Sequence, residues 1–266
     1  MTWVRRTLLA LAVAFVAVVT AVAVSIPFDA WLNRDRVAAL TNEVADGEVR
    51  VRFYLARPAA AEGPLPTVVM IHEFWGLNEA LISKADLLAT EGYLVVAPDT
   101  LRGATTRWFP KALWHTISTP DARVIDDLDT VIAALRARAD VDPERIVVMG
   151  FCYGGGKALA YALARPEVPA GTAVFYGDLS DDAAALGRLT GPVLGVFGQA
   201  DTLVTPAEVD AFERALRQAG IDHALLRFDD VGHAFVTSAA GIAEDPVQAA
   251  AWGAWTAWLR EVTAGR

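Results

Sequence analysis

The residues best suited to chemistry lie in Gly150-Phe151-Cys152-Tyr153-Gly154-Gly155, where the only cysteine of the chain stands between an apolar run ending at Met149 and an alanine-rich segment. A nucleophile at such a strand-to-helix turn needs small neighbours, because strand and helix approach too closely for a Cβ beside it and the nucleophile takes a strained backbone. The helix start also offers free N–H groups and the positive end of a dipole, which favours a thiolate and a developing oxyanion. Of the four histidines, His233 in Gly232-His233-Ala234-Phe235 follows the strand-like Leu225-Leu226-Arg227-Phe228, where it can reach a nucleophile as a base. Asp201, in Gly198-Gln199-Ala200-Asp201, follows another apolar run. Cysteine, acid and histidine in that chain order, each after a separate strand, point to a triad. A fourth loop, Ile71-His72-Glu73-Phe74-Trp75-Gly76, supplies Glu73, a carboxylate able to hold or exchange the thiol proton. The backbone N–H of Phe74 can complete an oxyanion hole with that of Tyr153. His72 reads as ordinary loop hydrogen bonding.

Other chemistries do not fit. A zinc protease would need a second histidine four residues after His72, and Gly76 stands there. A phosphate loop ending at Gly156-Lys157 would need glycine at Phe151 and a hydroxyl at Ala158. No metal and no cofactor is expected.

These residues must be positioned by the alternating elements around them. Residues 49–55 alternate as a half-buried strand, 67–71 and 93–97 are buried apolar runs of the parallel type, and 79–90 carries a helical pattern between them. A helix is expected over 121–138, then the turn Asp142-Pro143-Glu144-Arg145, then a strand over 146–149. Strands over 173–176 and 193–197 and helices over 206–219 and 245–262 complete an α/β pattern, which implies a mostly parallel sheet sandwiched by helices. Ligands of such folds bind beyond the carboxyl ends of the strands, where all four candidate loops lie.

His-Glu-Phe-Trp-Gly-Leu-Asn at 72–78, Ala-Pro-Asp at 97–99, Gly-Phe-Cys-Tyr-Gly-Gly at 150–155, the Asp201 loop and Gly-His-Ala-Phe at 232–235 together resemble the dienelactone hydrolase family. The resemblance runs from about residue 48 to the C-terminus. It implies an α/β-hydrolase fold without a large cap, a Cys152–Asp201–His233 triad, Glu73 contacting the cysteine in the resting enzyme, and oxyanion N–H groups from Phe74 and Tyr153. The reaction implied is hydrolysis of a small ester or lactone through a thioester, as in a carboxylesterase. The founding enzymes hold a substrate carboxylate with an arginine four residues after the histidine; Thr237 occupies that place here, and Arg102 or Arg107 corresponds to a second substrate arginine. The rival reading is a catalytically silent or redox-sensing exported protein that uses the same fold for binding.

The N-terminus is distinct. Arg5 and Arg6 precede an apolar run from Leu8 to Ile26, interrupted only by Thr20 and Ser25, and about twenty such residues span a bilayer as a helix. Ala21-Val22-Ala23 matches a signal-peptidase site, which would release a secreted or periplasmic protein. The apolar run continues past that site, which favours a retained signal anchor over residues 1–26, with the two arginines in the cytoplasm and the catalytic domain outside it. Residues 27–47 read as a connector with a short helical piece, and 48–266 as the catalytic domain. A net charge of -9 without a basic cluster disfavours nucleic acid as a partner.

Overall fold

The computed structural model describes residues 2–60 and 63–264. The apolar N-terminus forms one helix, α1 (Thr2–Leu32), with Pro27 inside it. It is long and apolar enough to cross a membrane, with a mean hydropathy of 2.7 over its most apolar stretch, none of it buried against the rest of the chain. α2 (Arg36–Leu40) and β1 (Glu43–Asp46) follow, so the connector expected over 27–47 is instead the end of one helix, a second short helix and the first strand. The strand escapes a reading by alternation because it is four residues long, lies at the sheet edge and buries only Ala45.

β2 (Arg50–Ala56) pairs antiparallel with β1 and with β4 (Leu94–Pro98), while β3 (Leu65–Ile71) lies parallel to β4 and to β5 (Val141–Phe151). β6 (Gly171–Phe175), β7 (Val193–Gly198) and β8 (His223–Phe228) extend the sheet in parallel, giving the order β1-β2-β4-β3-β5-β6-β7-β8. The expected turn at Asp142–Arg145 lies inside β5 as an irregularity: Leu65 pairs with Val141, yet Thr67 pairs with Ile146.

Successive residues of a central strand face opposite sides, and each side is covered by helices. On one side α3 (Glu79–Ala89) and α10 (Pro246–Thr263) place Leu81, Leu88, Trp255 and Leu259 with Val68, Met70, Val147 and Met149. On the other, α5 (Asp121–Arg136) and α6 (Tyr153–Ala164) place Leu128, Val131, Ile132 and Tyr161 with Val69, Ile71 and Val148. α8 (Pro206–Ala219) adds Val209, Phe212 and Leu216 against Val174, Val193 and Phe197.

Three helices were outside the sequence pattern. α7 (Ala183–Leu186) and α9 (Ala239–Glu244) are short and depend on side-chain caps from Asp182 and Ser238. α4 (Phe109–Ser118) is longer, but its large apolar residues point away from the protein and the side turned inward carries Lys111. A pattern search for a core-facing stripe therefore passes over it.

Candidate active site

The parallel pairing of β3, β5, β6, β7 and β8 brings the loops after them to one edge of the sheet. Ile71 pairs with Gly150, which sets the His72–Gly76 loop beside the turn at Cys152. That turn has the expected strain. Cys152 has φ 52 and ψ -118, outside the favoured regions for an L-residue. Its backbone is held by its own N–H donating to Phe175 O (2.9 Å) and by its carbonyl accepting from Gly155 N–H (2.9 Å). A Cβ on Gly150 would lie 2.2 Å from the Gly154 carbonyl, and one on Gly154 would lie 2.3 Å from Ile71 O, so only glycine permits this approach.

The three triad candidates meet. His233 Nε2 lies 3.0 Å from Cys152 Sγ, and His233 Nδ1 lies 2.8 Å from Asp201 Oδ2. The carboxylate can only accept here, so Nδ1 carries the proton and Nε2 faces the thiol as an acceptor. Asp201 is buried, and its other oxygen accepts from the N–H groups of Leu203 (2.8 Å) and Val204 (3.1 Å). The acid and histidine loops are tied together by Gln199 N–H to Phe228 O (2.8 Å) and Ala200 N–H to Val231 O (3.0 Å).

Burial pushes the Cys152 thiol up to about 12, and the nearby carboxylates of Glu73, Asp178 and Asp201 add to this against the opposing pull of the Tyr153 N–H. Burial and the carboxylates therefore oppose the thiolate that the helix start and the Tyr153 N–H favour. His233 Nε2, 3.0 Å away, is the acceptor placed nearest to that thiol proton. Glu73 is partly buried, and its pKa is raised by burial, with Lys84 pulling the other way. Phe74 packs in the same cluster as Cys152 and Tyr153. His72 is fully buried, with Nδ1 2.7 Å from Glu73 O and Nε2 3.0 Å from Thr100 Oγ1, and burial lowers it to about 4. It is a neutral strut of the loop.

Two residues beside the triad were not singled out from sequence. Lys84 on α3 is buried, its Nζ 3.6 Å over the Phe151 ring, and it donates to Val236 O at 3.2 Å. Burial lowers it to about 8 while Glu73 pulls it upward. Within Ile82-Ser83-Lys84-Ala85 a lysine reads as a solvated helix residue, and only the three-dimensional packing shows otherwise. Tyr176, at φ 39, also donates to Val236 O (3.1 Å) and turns its ring edgewise to His233 at 5.3 Å. Its place just past a parallel strand was the available signal.

Glu73 also borders a cleft of about 350 Å³ lined by Arg36, Trp75, Asn78, Glu79, Ala80, Thr105, Thr106 and Arg107. Of the expected substrate contacts, Arg107 lines this cleft. Arg102 does not: its guanidinium grips the buried carboxylate of Asp127, with Nη2 to Oδ1 at 2.7 Å and Nε to Oδ1 at 3.1 Å. Thr237 is also occupied, donating through its backbone N–H (2.9 Å) and hydroxyl (3.1 Å) to Gln248 Oε1. Among the described residues, no group of three or more histidine, cysteine or acidic side chains is arranged to hold a metal ion.

The mixed sheet flanked by helices and the loops gathered at its carboxyl edge are those of the α/β-hydrolase fold. Residues 51–263 match the dienelactone hydrolase family, and the chain belongs to that family. It is 33% identical over 212 residues to a Salmonella typhimurium protein described as "Putative carboxymethylenebutenolidase", covering 74% of this chain and 77% of the other. A Klebsiella pneumoniae structure described as "Putative Dienelactone Hydrolase" superimposes with a TM-score of 0.73 at 27% identity, over 82% of this chain and 96% of that one. A dienelactone hydrolase-like promiscuous phosphotriesterase from metagenomic libraries shares the fold, with a TM-score of 0.72 at 24% identity over 84% and 97% of the two chains.

Proposed function

We propose that the protein hydrolyses small esters or lactones with Cys152 as nucleophile, and that α1 is a retained membrane anchor holding the catalytic domain outside the cytoplasm. The observation that carries the first part is the continuous line from Cys152 Sγ through the His233 ring to Asp201 Oδ2, at 3.0 and 2.8 Å. In this reading the thiol proton passes to His233 Nε2 as Sγ bonds to the substrate carbonyl. The N–H groups of Tyr153 and Phe74 receive the oxyanion. Collapse of the adduct expels the alcohol oxygen, which takes the proton back from His233 and leaves a thioester on Cys152. His233 then deprotonates a water that attacks the thioester, and the cycle ends with the acid released and the thiol restored. Asp201 fixes the tautomer and stabilises the imidazolium.

Glu73 has its role in the same cycle. Burial raises its pKa, the nearby carboxylate acts on the Cys152 thiol through space, and its loop carries one oxyanion donor. Glu73→Gln is expected to lower kcat by roughly an order of magnitude with little change in Tm; unchanged kinetics would make Glu73 a purely structural loop residue.

The substrate is expected to be uncharged. A buried carboxylate needs a cationic, preferably bidentate, partner; Thr237 offers only a neutral hydroxyl, already bonded to Gln248, and Arg102 is taken by Asp127. Arg107 lines the cleft but is exposed, and an exposed charge contributes only about 0–1 kcal/mol. The test compares kcat/KM for a neutral lactone and its carboxylated analogue. Wild type should prefer the neutral one, and Arg107→Ala should change the ratio by less than about fivefold. A wild type that prefers the carboxylated lactone would contradict this, and loss of that preference in Arg107→Ala would identify the cation responsible.

A further inference from the structure

Helix α4 presents Trp108, Phe109, Leu113, Trp114 and Ile117 to solvent at 42% to 72% exposure, a concentration of large apolar side chains that no other described residue covers. Surfaces of this kind, rimmed by polar groups, are built to meet something. What they meet is set by where α4 is fastened. Trp108 Nε1–H donates to Ser25 Oγ (2.9 Å), and Lys111, buried beneath the helix, donates to Asp29 Oδ2 (3.0 Å). Both acceptors lie on α1, where its apolar stretch gives way to Asp29, Asn33, Arg34 and Asp35. Phe28 and Trp31 add two exposed aromatic rings at the same level. If α1 spans a bilayer, α4 is tied to the depth at which headgroups meet acyl chains, where tryptophan and other amphipathic rings concentrate and where an amphipathic helix lies in the plane.

We infer that the outer face of α4 seats in the membrane that α1 crosses, so that the cleft opens at the lipid surface and takes apolar esters or lactones dissolved in the bilayer. This rests on the reading of α1 as a retained span and of the triad as a hydrolase. The cleft and the apolar face are joined physically. Thr105, Thr106 and Arg107, which line the cleft, lead directly into α4. Phe109 at its first turn packs edgewise on Phe74, the expected oxyanion residue, with ring centres 6.0 Å apart. A substrate leaving the acyl region along α4 would therefore pass straight into the cleft that Glu73 borders.

The test uses the full-length chain in phosphatidylcholine nanodiscs holding one copy each. In a Cys152→Ala background, an environment-sensitive fluorophore is attached at Ile117→Cys, with Glu144→Cys, exposed at the other end of the sheet, as the control. The Ile117 label is expected to shift to the blue and be quenched by brominated acyl chains, while the Glu144 label is unaffected. In the native-cysteine protein, Leu113→Glu with Ile117→Glu should cut hydrolysis of a long-chain p-nitrophenyl ester dissolved in the bilayer at least tenfold, and change hydrolysis of p-nitrophenyl acetate less than twofold. An Ile117 label that stays water-like in discs, while the native-cysteine protein in the same discs still hydrolyses acetate, overturns the proposal. A label that shifts only in discs with several copies also overturns it, because the face is then an interface between chains. Failure of wild type on both esters would instead strike the hydrolase reading, and release of the protein by alkaline carbonate would strike the anchor.

Discussion

Replacing Cys152 by alanine should lower ester hydrolysis by at least about a thousandfold and leave the thermal midpoint within a few degrees of wild type. The large effect follows from chemistry. Without Sγ nothing in the site can form the covalent intermediate, and only the oxyanion donors and substrate positioning remain. The small effect on stability follows from geometry. Alanine keeps a Cβ, so the positive φ of 52 at this position is neither relieved nor worsened. The packing lost is one partly buried sulfur. Cys152→Ser should retain measurable but low activity, since His233 and Asp201 are placed to activate a hydroxyl as well. Kinetics with p-nitrophenyl acetate and a thermal melt check both expectations, and an alanine variant with more than a few per cent of wild-type turnover would remove Cys152 from the mechanism.

Asp201→Asn should lower kcat by roughly three to four orders of magnitude. The fold loses little, because the amide oxygen can still accept from the Leu203 and Val204 N–H groups that Oδ1 now serves. The amide then turns its NH2 toward His233 Nδ1. A donor at that position forces the imidazole to carry its proton on Nε2, the atom 3.0 Å from the thiol. Two donors then face each other and the base is lost. The variant is checked by kcat together with the position of the His233 ring protons in an NMR spectrum, which should report the exchanged tautomer. Retention of more than a tenth of wild-type kcat would show that Asp201 does not orient the base.

What could be read from sequence, and what could not, divides along physical lines. Cys152, Asp201, His233 and Glu73 each follow a recognisable strand, and the rule that parallel strands deliver their carboxyl-end loops to one edge predicts that they meet. Their meeting needs no detail of side-chain packing. Arg102 is the opposite case. Arg102 lies in a turn and its partner Asp127 is 25 residues on, in α5, and nothing local distinguishes an arginine that faces substrate from one that grips a buried carboxylate. Lys84 was invisible for the same reason: its burial comes from Phe151 and Val236, which are distant in the chain. β1 and α4 were missed because both break the link between apolar pattern and core. β1 has almost nothing to bury, and α4 turns its apolar side outward.

The central claim is the covalent intermediate on Cys152. Wild-type protein mixed with a slowly hydrolysed activated ester, quenched in acid and digested, is expected to show one acyl group on the peptide carrying Cys152. The adduct should be cleaved by neutral hydroxylamine as a thioester is, and should be absent from Cys152→Ala. An acyl group on any other residue, or steady turnover with no acylated Cys152 at any time after mixing, would contradict the account.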